Sequence, residues 1–306
     1  MREIVLTEHE AGQRLDRYLR KLLPAVPLGA IFRHLRTGAI RVDGKKGKPE
    51  LRLLAGMRIE LRGALPVVAA APPPPARVQP ARRGPVPREV FRDEHVLVVD
   101  KPAGLASQPG SGQDDDLVQW LDRQPFGVRT ATFHPAPAHR LDRGTSGLVA
   151  IGLSPEGLRG LTAAFRDDTV HKTYLAVVHG TPRARTGVIE QPLFERDAAS
   201  RRAPKVVVDA RGKPARTDYE VLDSGAGHAL LRLVLHTGRL HQIRAHLAHL
   251  GHPIVGDERY GSAVDLPDGT FLLHATALSL PHPVGGEALV LSSPMPPAFA
   301  RQLRMR

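Results

Sequence analysis

Eight prolines crowd residues 63–88: Pro66, Pro72 to Pro75, Pro80, Pro85 and Pro87. Proline holds φ near about −65° and carries no amide hydrogen, so it neither continues a helix nor donates to a strand ladder. A segment this rich in proline reads as a semi-rigid, extended linker rather than packed structure. It divides the 306-residue chain into a small unit, residues 1–62, and a large one, residues 89–306. Arg77, Arg82, Arg83 and Arg88 keep the linker basic, either solvated or touching a polyanion.

In the large unit, Val96-Leu97-Val98-Val99 is an apolar run of buried-strand length. The most constrained stretch is His139-Arg140-Leu141-Asp142-Arg143-Gly144-Thr145-Ser146-Gly147, followed by the apolar Leu148-Val149-Ala150-Ile151. Asp142 therefore sits in a tight loop feeding a core strand, where a rigid scaffold can position chemistry. The neighbouring guanidiniums of Arg140 and Arg143 favour the carboxylate. An ionised, positioned Asp can act as a nucleophile or a base. The same residues also fit an Arg–Asp surface cluster beside a turn.

Ser154-Pro155-Glu156 caps a helix with the apolar face Leu158, Leu161, Ala164 and Phe165. Val170 to Gly180 alternates as a strand, with Lys172, Tyr174 and Ala176 on one face and Thr173, Leu175 and Val177 on the other. Tyr174 is either a half-buried core residue or an aromatic platform. Residues 190–220 read as a hairpin arm whose basic face holds Arg201, Arg202, Lys205, Arg211 and Lys213. His241, His246, His249 and His252 invite a metal reading, but the His-Glu-x-x-His spacing is absent and the chain has no Cys. Structural or polyanion-contacting histidines fit better, so no metal is expected. Asp114, Asp115 and Asp116 suit the start of the helix carrying Leu117, Val118, Trp120 and Leu121. Gly110-Ser111-Gly112 lacks the third glycine of a dinucleotide fingerprint.

The small unit carries 14 basic and 7 acidic residues, a net of +7. Leu15, Leu19, Leu22 and Leu23 recur at helical spacing, and Pro24 and Pro27 close that helix. A second helix holds Ile31, Phe32 and Leu35 and ends at Gly38. Ile40-Arg41-Val42 and Met57 to Leu61 alternate as strands, and Asp43-Gly44 signals a hairpin. For the whole chain, 43 Lys and Arg against 31 Asp and Glu leave +12, which suits a polyanionic partner, nucleic acid above all. Without Cys there are no disulfides. The N-terminus lacks a signal-peptide apolar region, and the longest apolar stretches fall short of a membrane span. A cytoplasmic protein with no membrane partner is the expectation.

The motif His-Arg-Leu-Asp-x-x-Thr-Ser-Gly at 139–147 resembles the signature loop of the RluA family of RNA pseudouridine synthases. Three more blocks are similar to that family: Asp-Lys-Pro-x-Gly from Asp100, Lys-x-Tyr-x-Ala-x-Val-x-Gly from Lys172, and Thr-Gly-Arg-Leu-His-Gln-Ile-Arg-x-His from Thr237. The last departs from the family at Leu240, where Thr is usual. Leu272 to Ala275 and Pro281-His282-Pro283 fit its last strand pair. The two-unit layout and the Gly110-Ser111-Gly112 segment most resemble the RluC-type branch, which acts on large-subunit ribosomal RNA.

The resemblance implies an α+β fold, with a mixed, mostly antiparallel central sheet and a small N-terminal S4-like RNA-binding appendage. It implies that Asp142 is catalytic, that Tyr174 lies against the target base, and that Arg244 pairs with Asp142. A bidentate Arg244 contact would orient that carboxylate and keep it charged. Arg140 would fill the gap left by a flipped base. Lys172 would join the RNA contacts, and Arg14, Arg17, Arg33 and Arg36 would form a phosphate-facing surface. The implied reaction turns uridine into its C-glycoside with no cofactor, on RNA of the 23S ribosomal type, by a single copy of the chain. A tRNA-directed synthase, a non-catalytic RNA-binding protein and a metal-dependent hydrolase are the alternatives.

Overall fold

The computed structural model describes residues 1–63, 65, 86–110, 116–196 and 203–304. Most of the proline tract, with Arg77, Arg82 and Arg83, lies outside them, as do Ser111, Gly112, Asp114, Asp115, Arg201 and Arg202.

The N-terminal residues build strand β1 (Arg2–Val5), helices α1 (Leu15–Leu22) and α2 (Leu28–Thr37), and strands β2 (Ile40–Val42), β3 (Lys45–Lys46) and β4 (Arg58–Leu61). Leu15, Tyr18, Leu19 and Leu22 share one face of α1 and are fully buried against Ile31, Leu35, Ile40 and Ile59. Burying such side chains stabilises the unit by about 1.5–3 kcal/mol each. Gly38 closes α2 at φ +82°, the left-handed cap a side chain would resist. Asp43 and Gly44 both take positive φ, as a two-residue hairpin of this hand requires, and join β2 to β3. The strands pair antiparallel in the order β1-β4-β2-β3. β1 carries little apolar signal; Ile4 alone is half-buried there, and the strand forms by pairing with β4.

The large unit begins with β5 (Arg88–Arg92) and β6 (Val96–Lys101), so Arg88 belongs to a strand rather than to the linker. Then come α3 (Leu117–Asp122), β7 (Ala136–Pro137), β8 (Ser146–Gly152), α4 (Pro155–Arg166), β9 (His171–His179), β10 (Thr186–Glu190), β11 (Leu193–Glu195) and β12 (Val206–Val208). β13 (Arg216–Gly225), β14 (His228–Leu235), α5 (Gln242–His249), β15 (Leu273–Pro281), β16 (Ala288–Ser292) and α6 (Pro297–Arg304) complete it. The main sheet runs β10-β13-β14-β9-β15-β8-β6-β5, with β16 on β15 and β7 on β8. Only β8 and β15 run parallel among the described pairings. The expected α+β class, with a mixed and mostly antiparallel sheet, is what forms. β11 and β12 pair as a separate hairpin, within the predicted arm.

Both faces of the sheet centre are covered, which is why β6 and β8 read as unbroken apolar runs. Leu97, Val99, Val149 and Ile151 face a core with Tyr174, Ala176, Leu231 and Leu247. Val96, Val98, Leu148 and Ala150 face the other way, onto Leu161 and Ala164 of α4. Ser154 caps α4 through Gly157 N, and Asp116 caps α3 through Val118 N and Gln119 N, both as their sequences predict.

Candidate active site

The signature loop is held from beneath by residues 101–107, at the end of β6. Lys101 is fully buried, and its Nζ donates to the carbonyls of Thr145 (2.6 Å), Leu105 (2.8 Å) and Pro102 (3.1 Å). Burial pulls its pKa down to about 7, against the charges of Asp142 and Asp100. Ser107 Oγ donates to Leu141 O (2.8 Å) and accepts from Leu141 N (3.0 Å). Gly104 N donates to Arg143 O (2.8 Å), and Arg143 Nε returns to Gly104 O (2.9 Å). The Asp-Lys-Pro-x-Gly block is thus the bed on which the Asp142 loop lies.

Two glycines let the loop close. A Cβ on Gly144 would lie 2.4 Å from the Phe271 ring. Gly147 takes φ +113° opposite Ala275, whose carbonyl oxygen would be 2.3 Å from an added Cβ. On the flank, His139 Nε2 accepts from Ala150 N (3.0 Å), and its ring stacks on Phe165 at 4.2 Å.

Asp142 meets its main partner from α5. Arg244 Nη1 donates to Asp142 Oδ2 at 2.8 Å. The expected bidentate contact is made elsewhere: Arg244 Nε and Nη2 donate to Asp257 Oδ2 and Oδ1, at 2.7 and 2.9 Å. The guanidinium lies between two rings, 4.8 Å from the centroid of Tyr260 and 4.5 Å from that of Phe271. Burial opposes its charge, but the carboxylates of Asp257 and Asp142 outweigh that and raise its pKa. The Asp142 side chain remains 20% exposed, and among the described residues its Oδ1 has no hydrogen-bond partner. One oxygen is held and the other is open.

The flanking arginines behave differently from expectation. Arg140 is exposed and Arg143 bonds Gly104, so Arg244 rather than either neighbour holds the Asp142 charge. His241 Nε2 stands 3.7 Å from Asp142 Oδ2, while its Nδ1 meets Tyr260 Oη at 3.0 Å. Burial pulls His241 down to about 4, so it is neutral near pH 7. Tyr174 is buried on the β9 face that the alternation predicts. Burial, with the charge of Asp142, pushes its hydroxyl pKa up, so it stays a phenol. Lys172, two residues earlier, is half-buried and its pKa is lowered by burial.

The remaining histidines do not converge. His246 is buried and bonds Thr217 Oγ1 (2.9 Å) and Gln191 O (3.0 Å); His249 is exposed; His252 Nδ1 reaches His179 O (2.9 Å). Among the described residues no three His, Cys, Asp or Glu side chains are grouped to hold a metal ion. Leu240 packs toward Leu193, Val206, Ala245 and Tyr260, so an apolar contact stands where the related block has a hydroxyl. In the N-terminal unit, Arg17, Arg33 and Arg36 are exposed, whereas Arg14 pairs with Asp16 through 3.1 and 2.8 Å bonds. No helix of the described residues is long and apolar enough to cross a membrane.

Asp257, Tyr260, Phe271 and Lys101 were not singled out from the sequence as site residues. Asp257 lies eleven residues beyond the block that ends at His246, and nothing local says which carboxylate Arg244 will meet. Lys101 did leave a signal, a cation at the end of a buried strand.

Residues 95–249 match the family model described as RNA pseudouridylate synthase. Over its whole length the chain is similar to the ribosomal large subunit pseudouridine synthase C of Salmonella typhimurium. The two are 34% identical over 322 residues, covering 99% of this chain and 95% of that protein. The protein of that name from Vibrio cholerae is 33% identical over 299 residues, 95% of this chain and 92% of its own. The solved structure of human RNA pseudouridylate synthase domain containing 1 superposes with a TM-score of 0.58 at 28% identity, covering 71% of this chain and 89% of that one.

Proposed function

The chain belongs to the RNA pseudouridylate synthase family, and we propose that it converts specific uridines of large-subunit ribosomal RNA to pseudouridine, with Asp142 as the catalytic group. The ribosomal substrate rests on the names of its full-length relatives. The catalytic assignment rests on the Arg244–Asp142 pair, which leaves one carboxylate oxygen open in a loop tied to the core.

The reaction breaks the N1–C1′ bond, turns the uracil and forms a C5–C1′ bond, with the C5 proton transferred to N1. The base is out of reach within a stacked helix, so the uridine is flipped into the site. Exposed Arg140 fills the space the base leaves. Asp142 acts on the ribose as a carboxylate, either attacking it or removing a ribose proton, and Arg244 orients it for both. Tyr174, kept as a phenol, stacks on the uracil and relays a proton. No redox or group donor enters the balance, so the reaction needs no cofactor. Asp142, Tyr174, Arg244 and Asp257 all come from one chain, so a single copy suffices.

Residues 1–62 form an S4-like RNA-binding unit on a proline-rich tether, with Arg14, Arg17, Arg33 and Arg36 toward phosphates. Lys172 meets the RNA beside Tyr174. A ribosomal substrate supports a cytoplasmic protein.

The test is pseudouridine mapping across total RNA from cells with and without the gene, and with Asp142→Asn in its place. Large-subunit sites are lost in both. Asp142→Asn abolishes turnover while RNA binding survives, because the amide keeps the shape and loses the charge. Loss confined to tRNA positions would overturn the ribosomal substrate, and normal turnover by folded Asp142→Asn would remove Asp142 from the mechanism.

A further inference from the structure

An open cleft of about 500 Å³ lies where the N-terminal unit meets α4, lined by Gly12, Gln13, Arg14, Arg17, Arg52 and Arg159. Three of the arginines come from the N-terminal unit. The fourth, Arg159, stands exposed on α4, the helix packed behind β8 and hence behind the strand that leaves the Asp142 loop.

The backbone presets the N-terminal wall. Gly12 N donates to Leu53 O (2.8 Å), Leu53 N donates to Gln13 O (3.0 Å), and Arg14 and Arg52 face each other across an antiparallel bridge. Arg52 Nη1 also donates to Gly12 O at 2.7 Å, a neutral partner that leaves its charge uncompensated. Arg14 is already matched by Asp16. The excess charge is therefore that of Arg17, Arg52 and Arg159, and among the described residues none of these is in an ion pair. The first amides of α1 are occupied: Leu15 N and Asp16 N donate to Leu51 O and Pro49 O, and Arg17 N to Asp16 Oδ1. An anion here is met by guanidiniums, whose planar forks match phosphate oxygens.

We propose that this cleft is a composite phosphate site that grips the RNA backbone with both units at once, Arg17 and Arg52 from one wall and Arg159 from the other. Bound RNA then clamps the N-terminal unit against α4. The proposal rests on the reading of residues 1–62 as RNA-binding, and adds Arg52 and a residue of the catalytic unit to it. Phosphate contacts position a nucleic acid without reading its sequence. The cleft therefore sets the orientation of the RNA relative to Asp142, not the choice of uridine.

The test uses the full-length chain and a short fluorescein-labelled RNA stem-loop, with anisotropy titrations from about 0.05 to 0.5 M salt. The variants are Arg17→Ala, Arg159→Ala, the double substitution, and Arg166→Ala. Arg166 removes the same charge from the same helix but lies outside the cleft, paired with Asp167. All are exposed positions where alanine keeps the helix. Each cleft substitution flattens the plot of log affinity against log salt by about 0.7–0.9, and weakens binding roughly fivefold to tenfold near 0.1 M salt. The double substitution gives about the sum, and Arg166→Ala leaves the slope unchanged.

Loss with Arg17→Ala but not with Arg159→Ala would overturn the composite cleft while sparing the N-terminal unit as an RNA anchor. No loss with either would sink both readings. Equal loss with Arg166→Ala would reduce the effect to net charge, and unchanged RNA binding with lost binding of a polyglutamate peptide would make the cleft a site for acidic protein; either overturns the proposal.

Discussion

The three nitrogens of the Arg244 guanidinium are divided between two carboxylates, and that division sets how Asp142 is held. Asp257, 2% exposed on its side chain, takes the bidentate contact and fixes the plane of the guanidinium between Tyr260 and Phe271. The remaining nitrogen, Nη1, then donates to Asp142 Oδ2. Without Asp257, the guanidinium is free to turn its fork to Asp142 and cover both oxygens. Asp257→Asn, which keeps the shape and loses the charge, is expected to lower kcat roughly a hundredfold with little change in KM, the scale of a misplaced catalytic group. Asp257→Ala adds a folding cost of up to about 3–5 kcal/mol, because it removes the bidentate partner of a buried cation. Single-turnover kinetics beside thermal melting checks both. A normal kcat in folded Asp257→Asn would show that Asp142 is oriented without it.

The Asp142 loop is an irregular segment, and its stiffness comes from the strands on either side. Lys101 and Ser107 tie it to the end of β6, Gly147 lets β8 run close to β15, and His139 braces its start against Ala150. The brace works only while His139 is neutral, since Nε2 accepts the amide. A histidine in the unfolded chain takes up a proton near about pH 6.5. Burial, aided by the charge of Lys172, pulls folded His139 down to about 3. The unfolded state thus binds the proton first. This contribution to stability is complete above about pH 6.5 and is lost as the pH falls toward 3. The melting temperature of the native chain is therefore expected to fall more steeply between those values than that of His139→Gln, whose side-chain oxygen still accepts from Ala150. Parallel curves for the two proteins would remove His139 from the acid response.

At the scale of the whole molecule, the two units keep separate cores. The N-terminal cluster draws on Leu6 to Leu61, with Leu65 and Ala131 packed at its edge, and every other cluster is built from residues beyond the proline tract. Deleting residues 1–62 therefore removes one core and uncovers little of the rest. The shortened protein is expected to fold and to keep part of its turnover at saturating RNA. Its affinity weakens, and its salt dependence flattens by about 0.7–0.9 per lost phosphate contact. Calorimetry with salt-dependent binding measures these together. A truncated chain that fails to fold would show that the edge contacts hold the large unit, and an unchanged salt slope would return the basic helix faces to solvent.

What the sequence determined by itself is whatever depends on neighbours along the chain. The helices of the N-terminal unit, the caps at Ser154 and Gly38, the Asp43-Gly44 turn and the apolar strands β6 and β8 follow from local conformation and periodicity, forces that act within a few residues. The motifs likewise named Asp142, Tyr174 and Arg244 before any fold was known. Weakly patterned elements were silent: β1 and the two residues of β7 exist only because a partner strand supplies their hydrogen bonds. Only the tertiary structure decided which charges meet. Arg140 and Arg143 are the sequence neighbours of Asp142, yet Arg244, 102 residues away, reaches it, and Asp257 takes the fork expected for Asp142. The reason is range: an ion pair depends on separation in space and on the burial that removes water, and both are set by how α5 packs against the sheet.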